Sequence, residues 1–144
     1  MRRTLSFIGG IFLFLFFLPI MLIAGATILA VDGRPLFFVQ ERVGLNGGIF
    51  RLIKFRTMRP LNVSEGSSED QVRLTPLGRV LRLTSIDEFP TLINVILGHM
   101  DLVGPRPLLV EYLGLYTIDQ ARRHSVKPGI TGWAQVNGRN SISW

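Results

Sequence analysis

Hydrophobic and polar positions divide this chain into two regimes. From Thr4 to Val31 there is no charged residue, and Leu5–Val31 is a nearly unbroken apolar run. Beyond it, apolar positions recur at the spacings of strands and short helices. The run exceeds the roughly 20 residues that cross the hydrocarbon core of a bilayer as a helix. A helix satisfies its own main-chain hydrogen bonds, as lipid demands. Three arrangements stay open: a spanning helix, a cleaved leader, and a re-entrant helix that enters and leaves on one face. Arg2-Arg3 and Ala24-Gly25-Ala26 suit a leader and its cleavage site. Pro19 removes one ladder hydrogen bond and favours a kink. Basic residues flank the run on both sides, Arg2 and Arg3 before it and Arg34, Arg42, Arg51, Lys54 and Arg56 after it. Both flanks thus prefer the cytoplasm. A helical hairpin bent near Pro19 satisfies that preference; a straight span does not.

The polar part begins with a predicted β-hairpin over Leu36–Met58. Phe37, Phe38 and Val39 lead to a turn at Leu45-Asn46-Gly47-Gly48, and Ile49, Phe50, Leu52, Ile53 and Phe55 return. Pro60–Gln71 reads as a polar loop. Thr75-Pro76 opens a short helix whose apolar face is Leu77, Val80 and Leu81. Ser85-Ile86-Asp87-Glu88 matches a capping box and predicts a further helix, through Leu92–Leu97, that ends at Gly98. Gly104-Pro105-Arg106-Pro107 makes a rigid extended turn. Leu109–Arg123 is expected to be an amphipathic helix, followed by a glycine-rich end. The fold class is α+β, with an N-terminal membrane helix over 1–31 and a small domain with a hairpin and several amphipathic helices over 32–144.

Composition narrows the chemistry. The 144 residues contain no cysteine and two histidines, so thiolate metal sites, disulfides and cysteine nucleophiles are excluded. Arginine outnumbers lysine 14 to 2, and the net charge is +6. Arginine's planar fork suits bidentate phosphate contacts; attraction to anionic lipid explains the same excess. The basic residues form no single run and have no regular aromatic companions, which argues against nucleic acid.

Asp87-Glu88 is the acidic pair with most chemical promise. At a helix N-terminus the dipole favours the ionised forms. Two such carboxylates can hold Mg²⁺ together with phosphate oxygens, and an ionised aspartate can attack phosphorus. Helix capping accounts for the same two residues with no chemistry at all. Lys54 and Arg56 read equally as solvated strand residues or phosphate contacts. Arg106, between two prolines, has a backbone suited to a preorganised anion contact. His99 and His124 read as structural or solvated.

Taken in order, five segments resemble one family. They are Gln40-Glu41-Arg42-Val43-Gly44, Lys54-Phe55-Arg56-Thr57-Met58, Ser85-Ile86-Asp87-Glu88-Phe89-Pro90, Val103-Gly104-Pro105-Arg106-Pro107 and Val126-Lys127-Pro128-Gly129-Ile130-Thr131-Gly132, with Trp133–Asn140 continuing the last. Together they resemble the bacterial sugar transferases, the monotopic phosphoglycosyl transferases that begin exopolysaccharide, capsule and O-antigen synthesis. The resemblance implies transfer of a sugar-1-phosphate from a UDP-sugar to undecaprenyl phosphate, with release of UMP. Asp87 is then the nucleophile, Glu88 supports it, and both carry Mg²⁺. Arg82, Arg106, Lys54, Arg56 and Arg139 become the substrate-binding candidates. The resemblance also implies the re-entrant helix, attachment to membrane lipids, and a catalytic domain on the cytoplasmic face of the bacterial inner membrane. Two departures from the family pattern stand out: Leu18 replaces the usual serine before Pro19, and relatives continue for several tens of residues beyond the position of Trp144. The chain is therefore expected to be C-terminally truncated. A non-catalytic membrane-anchored fragment and an exported basic binding domain are the rival expectations. Homo-oligomerisation stays open.

Overall fold

The computed structural model describes residues 2–60 and 73–137. Most of the expected 60–71 loop, and Arg139, lie outside the described residues. The architecture is α+β. Helix α1 runs over Arg2–Val31 and passes through Pro19 without interruption. It is long and apolar enough to cross a membrane. Its inward positions are Gly10, Phe14, Phe17, Met21, Ala24 and Ile28, a stripe with alternating spacings of four and three residues. Such spacing keeps one face of a helix against a partner. Gly9 and Gly10 let Leu102 and Val95 approach, Phe17 meets the Phe89 ring at 4.4 Å between centroids, and Ile28 is fully buried. The domain thus touches α1 near both ends and in the middle. Leu5, Phe12, Leu15, Phe16, Leu22 and Ile23 remain exposed on its other faces.

Strands β1 (Phe37–Val43) and β2 (Ile49–Phe55) form the expected hairpin, in register from Phe37↔Phe55 to Val43↔Ile49. Asn46 and Gly47 take left-handed φ values of 54° and 78° in the turn, which the Asn-Gly pair tolerates. Helix α2 (Pro76–Thr84) starts as expected, with Thr75 Oγ1 accepting from Gly78 N at 2.8 Å. Leu81 is buried on it, but Val80 faces outward. The packed face of this helix is the Leu81 side, which meets Met21, Ala24, Ile28 and Phe55.

The expected capping box is corrected. Ser85 adopts a left-handed φ of 58° at the end of α2 and makes no side-chain cap. A 3₁₀ turn, Ile86–Thr91, follows and leads into α3 (Leu92–Ile96). Glu88 turns away from the Ser85 backbone to Lys54, because a partly buried, charge-assisted bond to a lysine outweighs a cap bond that water can replace.

Strands β3 (Asp101–Val103) and β4 (Gly129–Thr131) pair in parallel. Gly104 and Gly129 permit this, since a Cβ on either would strike the facing backbone. The expected helix over Leu109–Arg123 is also corrected. It breaks into a 3₁₀ turn (Val110–Leu115), a short α4 (Ile118–Ala121) and a second 3₁₀ turn (Arg122–Ser125). Thr117 and Gln120 form a capping box that starts α4 afresh, and Gly114 weakens the helix before it. A last short helix, α5, spans Trp133–Val136.

Two apolar clusters hold these elements together. Met21, Ala24 and Ile28 of α1 pack with Phe55 and Leu81. Phe50, Leu52, Val95 and Met100 form the other cluster. The apolar helix is therefore joined to the polar part through a shared core.

Candidate active site

The site is assembled on β2. One edge of that strand pairs with β1; the other would expose main-chain groups. Asn94, 1 % exposed, closes it. Its Oδ1 accepts from Ile53 N at 3.0 Å and its Nδ2 donates to Arg51 O at 2.7 Å. Thr91 Oγ1 donates to Ile53 O at 2.9 Å. Side chains from the 3₁₀ turn and α3 thus take the place of a third strand. The consequence is positional: Glu88, on the same turn, comes to lie over Lys54 of β2.

Lys54 Nζ donates to Glu88 Oε1 at 2.6 Å, and Arg106 Nη2 stands 3.9 Å from the same oxygen. Asp87, next in the chain, is 8 % exposed and has no ion-pair partner among the described residues. Burial raises its pKa above the ordinary carboxylate range. The Lys54 charge opposes that shift, the Glu88 charge adds to it, and Arg82 and Asp87's own backbone N–H oppose it. Arg82 is held by its Nε, which donates to Thr57 Oγ1 at 3.0 Å. A small, open cleft lies beside the pair, lined by Arg42, Lys54, Glu88, Thr91, Arg106 and Ile130 among others.

Whole-chain comparison decides the family. The bacterial sugar transferase model matches residues 1–144. This chain belongs to the bacterial sugar transferase family. It is similar to the uncharacterized sugar transferase EpsL of Bacillus subtilis, with 53 % identity over all of this chain and 72 % of the relative. A UDP-glucose:undecaprenyl-phosphate glucose-1-phosphate transferase of Caulobacter vibrioides is 38 % identical, over 95 % of this chain and 54 % of that protein. The Escherichia coli protein of the same description is 35 % identical, over 96 % of this chain and 31 % of its own length. The chain thus spans about half or less of the last two relatives.

Among these sugar transferase residues, Asp87, Glu88, Lys54, Arg82 and Arg106 are brought together. Arg56 is placed elsewhere. It is 7 % exposed, and its guanidinium donates to the carbonyls of Arg34, Asp32 and Gly33 at 2.6, 2.6 and 2.8 Å. Those carbonyls follow the last turn of α1, so Arg56 anchors the exit of that helix. His99 is exposed, and His124 stacks beside Tyr116 at 5.3 Å. Burial, chiefly, and the nearby Arg123 charge lower the His124 pKa, against a hydrogen bond with the Gly44 backbone that raises it.

Three residues that serve the site were not singled out by sequence: Arg42, Asn94 and Thr57. Arg42 had a signal: strand alternation puts it on the same hairpin face as Lys54. Asn94 and Thr57 had none, since each acts across 25 or more positions of chain. The acidic residues also limit the metal. Among the described residues no group of three or more histidine, aspartate or glutamate side chains forms a complete cage. Asp87 and Glu88 fit a hard cation that takes its other ligands from phosphate oxygens and water, as Mg²⁺ does.

Proposed function

We propose that this protein is a phosphoglycosyl transferase acting on a UDP-sugar and undecaprenyl phosphate, with Asp87 as nucleophile. The supporting observation is the pairing pattern. Glu88 is tied to Lys54, while Asp87 beside it is buried and free of any ion pair among the described residues. A carboxylate in an ion pair has its lone pairs engaged; one without a partner keeps them open for attack.

An Asp87 carboxylate oxygen attacks the β-phosphorus of the UDP-sugar. The bond from that phosphorus to the bridging oxygen breaks, and UMP leaves with the electron pair. The sugar phosphate remains on Asp87 as an acyl phosphate. An oxygen of undecaprenyl phosphate then attacks the same phosphorus and releases the carboxylate. Both attacks bring anions together, so catalysis is largely positioning and charge stabilisation. Lys54, Arg82 and Arg106 supply positive charge that stands in place before the reaction. Mg²⁺, carried by Asp87 and Glu88, would neutralise diphosphate charge.

One substrate is soluble and the other is a lipid, which fits a site on the cytoplasmic face of the bacterial inner membrane. The contacts of α1 with the domain along its length support a helix that stays with the domain on one face of the bilayer, although the expected break at Pro19 is not seen in its helical pairing. A domain seated against both ends of a helix is carried into the bilayer if that helix spans it. Cysteines placed at Arg3 and Arg34 in this cysteine-free chain should both label from the cytoplasm; labelling from opposite faces rejects this topology. The reaction is tested with labelled UDP-sugars, undecaprenyl phosphate, Mg²⁺ and detergent-solubilised protein. Wild type should form lipid-linked sugar and Asp87→Asn should not. Wild-type turnover by Asp87→Asn removes the nucleophile assignment.

A further inference from the structure

The cleft holds more positive charge than countercharge. Arg42, Lys54 and Arg106 line it, with Glu88 as the one carboxylate among its lining residues. Lys54 and Arg106 both lie against Glu88. Arg42 has no ion-pair partner among the described residues. Its guanidinium is held by two neutral acceptors instead. Nη2 donates to Gln40 Oε1 at 2.6 Å and Nη1 to Pro107 O at 3.4 Å. Its Nε is shut off from solvent and donates to nothing. Burial and the like charge of Arg106 both weigh against the Arg42 cation. An unpaired buried N–H and two arginines facing one cleft are each unfavourable. An anion between the two guanidiniums offsets the like-charge repulsion between them.

The spacing of the two arginines is preset by main chain. Val43 N donates to Leu108 O at 3.2 Å, and Arg42 bridges to Leu109, so the end of β1 is clipped to the segment that follows Arg106. Pro107 ties the two together, neighbouring Arg106 in the chain and accepting from Arg42 through its carbonyl. We propose that Arg42 and Arg106 form a two-arginine clamp for a diphosphate, each guanidinium taking one phosphate group. The inference rests on the transferase reading of the cleft and deepens it. A donor with two linked phosphates fills both arms of the clamp. A single phosphate, as on the departing UMP or on the lipid, fills one. The clamp therefore favours donor binding over retention of the nucleotide product.

The test is calorimetric titration of the detergent-solubilised full chain with inorganic pyrophosphate and, separately, orthophosphate, in chelator. Arg42→Gln should weaken pyrophosphate binding at least about tenfold and orthophosphate binding less than about threefold. Arg42→Lys should recover the pyrophosphate loss only in part, because lysine lacks the fork. Thermal melts establish that each variant is folded, and Arg42→Lys keeps the charge if Arg42→Gln does not fold. Wild-type pyrophosphate affinity in Arg42→Gln overturns the clamp, as does an equal loss for both anions. An Arg106→Gln chain that alone loses pyrophosphate rejects the clamp and leaves the cleft reading intact. If neither variant loses it, or wild type does not bind it, both the clamp and the cleft reading fall.

Discussion

Arg56 and Arg42 belong to opposite ends of one hairpin, and their surroundings are opposites too. Around Arg56, three carbonyls accept from the guanidinium and the exit of α1 is locked to β2. Around Arg42, two neutral acceptors hold the charge while its Nε goes unanswered and a second arginine faces the same cleft. A cation whose guanidinium donates to three carbonyls of its own chain is a structural part. A cation held in place but incompletely met is poised for something from outside. Satisfaction of hydrogen bonds thus separates two arginines that composition treats as equal.

The sharpest separation of the two regions comes from removing the proposed nucleophile. Asp87→Asn should lower the transfer rate by about 10³-fold or more, about 4 kcal/mol in barrier, while thermal stability in detergent holds or rises. A large loss of stability with it would place Asp87 in the structural class. Second, Arg56→Met should cost about 3 kcal/mol in denaturant melts, since it strands three carbonyls. Arg42→Gln should change stability by less than about 1 kcal/mol. Similar losses from both would erase the contrast. Third, Asn94→Ala should cost about 2 kcal/mol by unpairing the edge of β2, and turnover should fall with it as Glu88 loses its station over Lys54. Fourth, Thr57→Val should cost about 1 kcal/mol and slow transfer several-fold by releasing Arg82, with Thr57→Ser restoring the rate.

The smallest effect is on pH dependence. Because burial raises the Asp87 pKa, the folded protein keeps a proton that the unfolded chain has already lost. Stability contributed at this position is full below the unfolded pKa, roughly 3.9. It then declines as pH rises through the raised folded value. In chelator, melting temperatures from pH 4 to 7 should show a downward trend that Asp87→Asn flattens.

Elements built from near neighbours were legible in the sequence. The uncharged run became one helix, the Asn46-Gly47 turn closed the hairpin, and Thr75 capped α2. The Asp87-Glu88 pair stood out as two carboxylates in a row, and the fold sets Glu88 beside Lys54 and Arg106. Where local signals competed, reading failed. Ser85 and Glu88 have the spacing of a capping box, yet each found a different geometry. The apolar periodicity over Leu109–Arg123 masked the Thr117 cap that interrupts it.

What the sequence determined alone is the division of labour: an apolar run with no charge from Thr4 to Val31, and an arginine-rich part that carries the Asp87-Glu88 pair. Those properties follow from composition and from spacings of a few residues, where chain connectivity keeps the groups close. Tertiary structure decided which charges meet. Asn94 closes the β2 edge from 41 and 43 positions away and so sets Glu88 over Lys54. The main-chain clip between β1 and the residues after Arg106 sets Arg42 facing the same cleft. Such pairings depend on packing, because a side chain's partner at long range is chosen by the whole core.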